Sequence, residues 1–350
     1  MALNRKPLVY FERFFDPIAE QILGAADDIE LVRLHYATPD GETWPEMQRA
    51  CGYHVSARTE LRDPWLGGAA LLARCPDLLA MCSTGAGYDV IDVEACTQAG
   101  VIVCSQSGTN FEPVAEHAIG LILALSKKIS LTNRALLRGD AHDRYALMGN
   151  DIQHKTVGIV GLGKIGTRNT HFCRAFDMNV IAYDPYLTAE QIAARGARKV
   201  EFSELLAQSD FISIHCPRTK ETINLFDATA FARMKLSAYF INTARGLIHN
   251  EVALLEALQS KKIAGAGIDV FDVEPPPPDH PLLHLDNVIA TPHTAGGTHE
   301  AALAMSRATA EQWIDILRGR VPPRLVNPEA WALYAQRFER VIGFRPDRLE

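Results

Sequence analysis

The chain is poor in long apolar runs. None reaches the roughly 18 residues that cross a bilayer, and the opening stretch, Met1 to Tyr10, lacks the charged-then-apolar pattern of a secretory leader. Neither a membrane span nor export is expected, and a cytoplasmic location is. Excess positive charge is also missing: 35 Lys and Arg stand against 42 Asp and Glu, a formal net charge of −7. That balance carries no electrostatic footprint for nucleic acid or an anionic membrane surface. The 7 cysteines, at 51, 75, 82, 96, 104, 173 and 216, contain no C-x-x-C pair. An odd number at such spacings argues against a disulfide framework and a zinc site, so no metal is expected. Cys82, Cys104 and Cys216 lie in strand-like runs and are small buried hydrophobes, in keeping with a reducing compartment. Internal repeats are absent, and low complexity is confined to Pro275–Pro278, a stiff loop.

What is present is the composition of a globular protein: 350 residues, 47% hydrophobic and 22% charged, enough for about two domains. The stretch that organises the chain is Thr156 to Gly166. A β-branched run (Val157, Ile159, Val160) leads into glycines at 161, 163 and 166 and then a helical segment through Phe176. Gly161 permits a sharp turn, Gly163 lets backbone approach a pyrophosphate, and Gly166 lets helix and strand pack closely. The phosphates would sit at the helix N-terminus, where free N–H groups favour an anion. A second apolar strand, Asn179–Tyr183, follows and ends in Asp184, placed to accept hydrogen bonds from ribose hydroxyls. Its charge repels a 2′-phosphate, and Pro185 and Tyr186 supply no compensating Arg. The expected cofactor is NAD rather than NADP.

Before this stretch, short apolar runs at 8–11, 29–34, 53–55, 78–82 and 101–104 alternate with helical patterns at 15–25, 67–74 and 90–99. Strand–helix alternation predicts a parallel sheet covered by helices. After one of these strands, Ser83 to Asp89 is a loop of small residues whose backbone N–H groups can form a nest for a carboxylate. Residues 112–129 predict an apolar helix, buried between domains or against a partner subunit. Glu116 and His117 are adjacent on it, point to different faces, and are expected to be structural. Residues 131–155 are charged and read as irregular. Beyond the glycine-rich stretch, strands are predicted at 211–215, 238–242, 264–270 and 287–290, completing a six-stranded doubly wound domain. A long helix at 298–318 and a tail helix with Trp331 and Tyr334 follow.

Ligands in doubly wound sheets bind beyond the carboxyl ends of the strands. There the sequence places Arg245 after the 238–242 strand, Glu274 after 264–270 and His293 after 287–290. The set suits a 2-oxo acid. Arg245 can grip a carboxylate and polarise the adjacent carbonyl with its planar fork. His293 can give a proton to the carbonyl oxygen as hydride arrives at carbon. Glu274 can accept the other imidazole N–H and fix its tautomer.

The segments Gly161–Gly166, Asn242–Gly246, Gly267–Pro275 and Thr291–Gly296, with Ser83–Asp89 and Val114–His117, resemble the D-isomer-specific 2-hydroxyacid dehydrogenase family. The resemblance implies an α/β protein of two doubly wound parallel-sheet domains, a Rossmann NAD domain inserted into a flavodoxin-like substrate domain. It implies bounds of 1–111 for the first part of the substrate domain, 112–312 for the NAD domain and 313–350 for the return. It implies a homodimer with the 112–129 helix near the interface, and a small-molecule 2-oxo or 2-hydroxy acid as partner. By the family pattern Arg245, Glu274 and His293 are catalytic, and the backbone of Thr84, Gly85, Ala86 and Gly87 holds the substrate carboxylate. Gly161, Gly163, Lys164, Ile165, Gly166, Asp184, Cys216, Pro217, Thr222, Thr243, Ala244, Asp269, Ala295 and Gly296 fall where the family contacts NAD.

The chain departs from the family pattern at His154, where glycine is usual, and at Asn250, where aspartate is. It also shows no cation clearly placed for a phosphate in Ser56–Thr59 or Cys82–Gly85, and no C-terminal regulatory domain is read, so an unphosphorylated substrate is expected. Two alternatives share the motifs. One is a phosphite or formate dehydrogenase on the same scaffold, with Glu274 speaking against formate, where such enzymes carry Gln. The other is an NADH-sensing module like the C-terminal-binding corepressors.

Overall fold

The computed structural model describes residues 5–58 and 60–349; Met1–Asn4 of the opening stretch and Thr59 of the Ser56–Thr59 stretch lie outside them. Its contacts divide the chain into two units, Met1–Asn110 with Thr298–Glu350, and Phe111–Gly297.

The first unit is built on five parallel strands: β1 (Lys6–Phe11), β2 (Ile29–Leu34), β3 (Gly52–Val55), β4 (Ala80–Ser83) and β5 (Ile102–Cys104), in the order β2-β1-β3-β4-β5. This is the flavodoxin-like order. Every residue of β3, β4 and β5 is buried, as expected where helices cover both faces of a sheet. The two-residue period of β1 sorts its side chains between two cores. Leu8 and Tyr10 pack on one face with Trp313 and Phe338, while Val9 and Phe11 pack on the other with Tyr53 and Met81.

The return to this unit begins earlier than position 313. Helix His299–Leu317 lies against helix Ile18–Gly24 and buries Ala310, Trp313, Ile316 and Leu317 in the β1 core. An apolar stripe that already fills one face of the sheet cannot belong to another unit, so the crossing falls at 297–298. The last helix, Trp331–Ile342, is stitched to the opening segment by Arg337. Its guanidinium donates to the carbonyls of Leu78 at 2.7 Å, Ala99 at 3.1 Å and Cys75 at 3.2 Å. A helix over Asp40–Gln48 was not anticipated, because Pro45 sits inside it; burial of Thr43, Trp44 and Met47 outweighs the missing N–H.

The second unit carries β6 (Thr156–Val160), β7 (Asn179–Tyr183), β8 (Arg198–Lys199), β9 (Phe211–Ile214), β10 (Tyr239–Asn242), β11 (Gly265–Ile268) and β12 (Val288–Ala290). They run parallel in the order β12-β11-β10-β9-β6-β7-β8, so the order reverses between β6 and β9. Seven strands replace the expected six. The extra one, β8, is two charged residues long and pairs only with Ile181 and Ala182, too little to leave a pattern. Helix Phe111–Ser126 buries Ala115, Ala118 and Ile122 completely and packs on β10, β11 and β12. The first part of the segment read as irregular is helical, Ile129–Arg138, and buries only Ala135. Among the described residues no helix is long and apolar enough to cross a membrane.

Gly52 tests the packing that draws the chain back to the first unit. A Cβ there would lie 2.6 Å from the fully buried Trp313 ring. Gly52→Ala is expected to cost about 1–3 kcal/mol by overpacking, seen as a lower urea midpoint by tryptophan fluorescence. An unchanged midpoint would mean that Trp313 does not fill that face.

Candidate active site

The glycine-rich turn is built by contacts that only small residues allow. Gly161 has φ +87°, donates its N–H to the Tyr183 carbonyl at 3.0 Å, and a Cβ on it would lie 2.6 Å from the Cys216 nitrogen. A Cβ on Gly166 would run into the Gly161 carbonyl, which is the close helix–strand approach the sequence called for. Gly163 differs: nothing lies within 4 Å of an added Cβ. It opens helix Lys164–Ala175 without a side-chain cap, so the first N–H groups and the positive dipole end remain available to an anion. Lys164 is exposed beside them and Ile165 is half-buried.

Asp184 stands at the end of β7. One carboxylate oxygen accepts the Leu162 N–H at 2.9 Å and the other the Tyr186 N–H at 3.0 Å. A carboxylate has about four acceptor positions, so two of them can still meet ribose hydroxyls. The fold also brings up a cation that the local sequence does not announce: Arg195 donates to the Leu162 carbonyl and clamps the turn from its other side. After β9, Thr222 Oγ1 donates to the Pro217 carbonyl at 2.7 Å and closes that loop. Burial pushes the neighbouring Cys216 thiol up to about 12, so it stays protonated. Thr243 keeps a buried hydroxyl with no partner. Open room over Gly163, an uncapped helix start and an unused hydroxyl fit a dinucleotide.

Arg245, Glu274 and His293 come together at the carboxyl edge of three neighbouring strands, β10, β11 and β12. Asn242, fully buried at the end of β10, folds the first of these loops. Its Oδ1 accepts the Ala244 N–H at 2.9 Å, and its Nδ2 donates to the Arg245 carbonyl at 2.9 Å and His249 Nδ1 at 3.0 Å. The Arg245 guanidinium lies back on the Ala244 carbonyl at 2.6 Å. Glu274 Oε1 accepts the Phe271 N–H at 3.1 Å, and Oε2 is 2.8 Å from His293 Nδ1. Burial pushes the Glu274 carboxyl up, but the His293 hydrogen bond and charge, the Phe271 amide and the Arg245 charge outweigh it and hold it below the usual Glu value. An ionised Glu274 can only accept, so His293 Nδ1 carries the hydrogen and Nε2 is left to exchange a proton.

The loop that carries His293 is held by Asp269. His293 has φ +54°, a left-handed backbone that costs about 1–2 kcal/mol, and its N–H is fixed on the Asp269 carbonyl at 2.8 Å. The Asp269 side chain is fully buried and takes the Thr291 hydroxyl at 2.5 Å, the Thr294 N–H at 2.8 Å and the Ala295 N–H at 2.9 Å. Asp269 is expected as a cofactor contact; its carboxylate also holds this loop, where three donors replace the water it gives up. Ala295 is buried and Gly296 half-buried beside it. His117, expected to be structural, has its Nε2 3.1 Å from the Thr291 hydroxyl. Its role was hidden because the contact joins positions 174 residues apart. Burial lowers His54, His215 and His249 to about 3, 3 and 4, so they stay neutral.

Thr84–Gly87 belongs to the first unit, apart from the residues above. The Thr84 hydroxyl is spent on the Val55 carbonyl at 2.7 Å, and the Gly85 carbonyl takes the Gln106 N–H at 2.9 Å, leaving open space around the Gly85 Cα. The loop therefore offers backbone rather than side chain.

Comparison with known proteins gives a consistent set of relatives. Residues 119–295 match the model of the D-isomer specific 2-hydroxyacid dehydrogenase, NAD binding domain. The chain is 41% identical over 259 residues to a D-3-phosphoglycerate dehydrogenase of Archaeoglobus fulgidus, covering 74% of this chain and 49% of that one. It thus spans about half the length of that relative. It is 35% identical over 296 residues to a glyoxylate reductase of Korarchaeum cryptofilum, covering 84% and 88%. Among solved structures, a glyoxylate reductase from Paecilomyes thermophila superposes with a TM-score of 0.82 at 27% identity, over 93% of this chain and 99% of that one.

The space over Gly163 yields a test. Gly163→Ala meets no protein atom, so its melting temperature without ligand is expected to match the parent. Its Kd for NADH, read by fluorescence titration, is expected to rise at least about tenfold, because a methyl group intrudes where backbone must approach the pyrophosphate. Unchanged NADH binding would remove Gly163 from the cofactor site.

Proposed function

We propose a function from one premise: the chain belongs to the D-isomer-specific 2-hydroxyacid dehydrogenase family. On that premise it interconverts a small 2-oxo acid and the matching D-2-hydroxy acid with NAD. When bound, NAD supplies or accepts the hydride. The cofactor would be held by the Gly161–Gly166 turn, by Asp184 at the adenosine ribose, and by the loops holding Cys216–Thr222, Thr243–Ala244 and Ala295–Gly296.

The chain's own residues then have separate tasks. Arg245 binds the substrate carboxylate and polarises the carbonyl. His293 Nε2 gives a proton to the carbonyl oxygen during reduction and takes it from the hydroxyl during oxidation. Glu274 keeps the other hydrogen on Nδ1 and stabilises the imidazolium. By the family pattern the backbone of the Thr84–Gly87 loop also holds the carboxylate, through Gly85–Gly87, since the Thr84 N–H is given to the Val55 carbonyl at 3.2 Å. The observation that carries this is the 2.8 Å bond between His293 Nδ1 and the buried Glu274 carboxylate, one strand from Arg245. An unphosphorylated substrate is supported by Arg58. This cation of the early loop is paired with Asp89 at 3.5 Å.

The same family reading includes a homodimer with helix 112–129 near its interface, and exposed apolar side chains just after that helix favour the next one as the contact. Helix Phe111–Ser126 spends its apolar residues inside its own unit. The next helix is pinned on one side by Arg134, which donates to the Asp286 carbonyl at 2.8 Å. It leaves Ile129, Leu136 and Leu137 exposed, with Tyr145 and Met148 after it. Such a concentration of large apolar side chains suits a self-complementary contact between two copies.

The activity test is loss of nicotinamide absorbance with glyoxylate, hydroxypyruvate, pyruvate and bulkier 2-oxo acids. 3-Phosphoglycerate and phosphite are run in the NAD-reducing direction. A single preferred 2-oxo acid is expected. His293→Ala should lose about 10²- to 10⁴-fold in kcat while NADH still binds. Silence on every 2-oxo acid with NADH bound, or full activity of His293→Ala, would overturn the assignment. For the dimer, Leu136→Asp with Leu137→Asp is expected to halve the mass seen by light scattering at unchanged melting temperature. An unaltered mass would place the contact elsewhere.

A further inference from the structure

His117 does no chemistry in the mechanism above, yet it ends a chain of hydrogen bonds that leads to the catalytic histidine. The Thr291 hydroxyl oxygen lies 2.5 Å from Asp269 Oδ1 and 3.1 Å from His117 Nε2. A hydroxyl has one hydrogen, and a carboxylate can only accept. That hydrogen therefore goes to Asp269, and the hydroxyl oxygen must accept from His117 Nε2–H. The direction of every bond follows: His117 donates to Thr291, and Thr291 donates to Asp269. Asp269 also receives the N–H groups of Thr294 and Ala295 through its carboxylate and that of His293 through its carbonyl. The peptide segment on either side of His293 thus hangs on one buried group, and His117 sets the orientation of the only hydroxyl that group receives.

We propose that His117 is a positioning residue for His293, acting through Thr291 and Asp269, and that it keeps the 291–295 loop in the left-handed turn that aims the imidazole at Glu274. His117 is well placed for this, because helix Phe111–Ser126 is packed rigidly on β10, β11 and β12. Without its donor, the Thr291 hydroxyl can turn away from Asp269 and find its acceptor elsewhere. Asp269 Oδ1 then loses one of its two donors and keeps the Thr294 N–H. The left-handed backbone of His293 is unfavourable without its restraints, so loss of one of them is enough to loosen it. The proposal rests on the assignment of His293 as acid and base, and its test has an arm that does not.

The test uses His117→Phe, Thr291→Val, the two combined, and His117→Gln, whose amide can still donate to Thr291, all in the full chain. Hydrogen exchange of the Thr294 and Ala295 amides is expected to quicken in the first three and to stay near the parent in His117→Gln. The kcat for the preferred 2-oxo acid is expected to fall about 10- to 100-fold, as for a misaimed catalytic group, with Kd for NADH within about twofold of the parent. The combined variant should be no worse than either alone, because both cut one chain, and His117→Gln should recover most of the rate. Unchanged exchange in His117→Phe, losses that multiply in the combined variant, or a change confined to NADH affinity would overturn it. If the parent reduces no 2-oxo acid, the catalytic assignment of His293 falls, while amide exchange still decides whether His117 holds the loop.

Discussion

A carboxylate with no access to water has to be surrounded by donors, and the candidate site is arranged around one that is. Asp269 follows β11 immediately, lies between the loops of β10 and β12, and is fully buried. Its N–H is bound to the Asn242 carbonyl at 3.0 Å, which ties it to the strand leading to Arg245. Its side chain and carbonyl take the backbone around His293. Glu274, on the same loop, takes the imidazole itself. Three strand ends are thereby held in register without a metal or a disulfide among the described residues. The desolvation cost of one charge is offset by hydrogen bonds that fix the loops of Arg245, Glu274 and His293 relative to one another.

This arrangement separates two duties that one histidine would otherwise share. His293 is strained in its backbone and partly exposed, with one ring nitrogen bonded and the other open. His54, His215 and His249 differ in being held neutral by burial, and the ring nitrogen that each leaves unbonded is enclosed by protein. Among the 12 histidines of the chain, position beside a carboxylate at a strand end, more than residue type, is what suits this one to the proposed acid and base role.

Much of this was legible in the sequence, for physical reasons. Strands buried on both faces leave continuous apolar runs, so β1 to β5 and β6 to β12 were found, apart from β8. Two charged residues pairing with an edge strand carry no hydrophobic pattern at all. The glycines at 161, 163 and 166 were readable because steric exclusion leaves few alternatives at each. The Arg, Glu and His were readable because they follow strands of one parallel sheet. What could not be read were contacts that close over long sequence distances: Arg195 on the Leu162 carbonyl, His117 on Thr291, and Trp313 over Gly52. The misplaced boundary at 312 has the same origin. Helix His299–Leu317 looks alike in sequence whichever core it fills, and only its packing on helix Ile18–Gly24 decides.

Arg337 gives the chain a direction in time. Its three bonds to Leu78, Ala99 and Cys75 join the last helix to the first hundred residues, and Trp313 completes the core under β3. A ribosome emitting this chain therefore releases the opening strands long before the helices that cover them exist. The inserted unit, complete at Gly297, has all its partners first. Synthesis from the N-terminus normally lets the first domain settle first; here the host waits for its guest. During that interval β1, β3, β4 and β5 show the face meant for Trp313 and Phe338 to the cell, and that exposed face is where a chaperone would have most to protect.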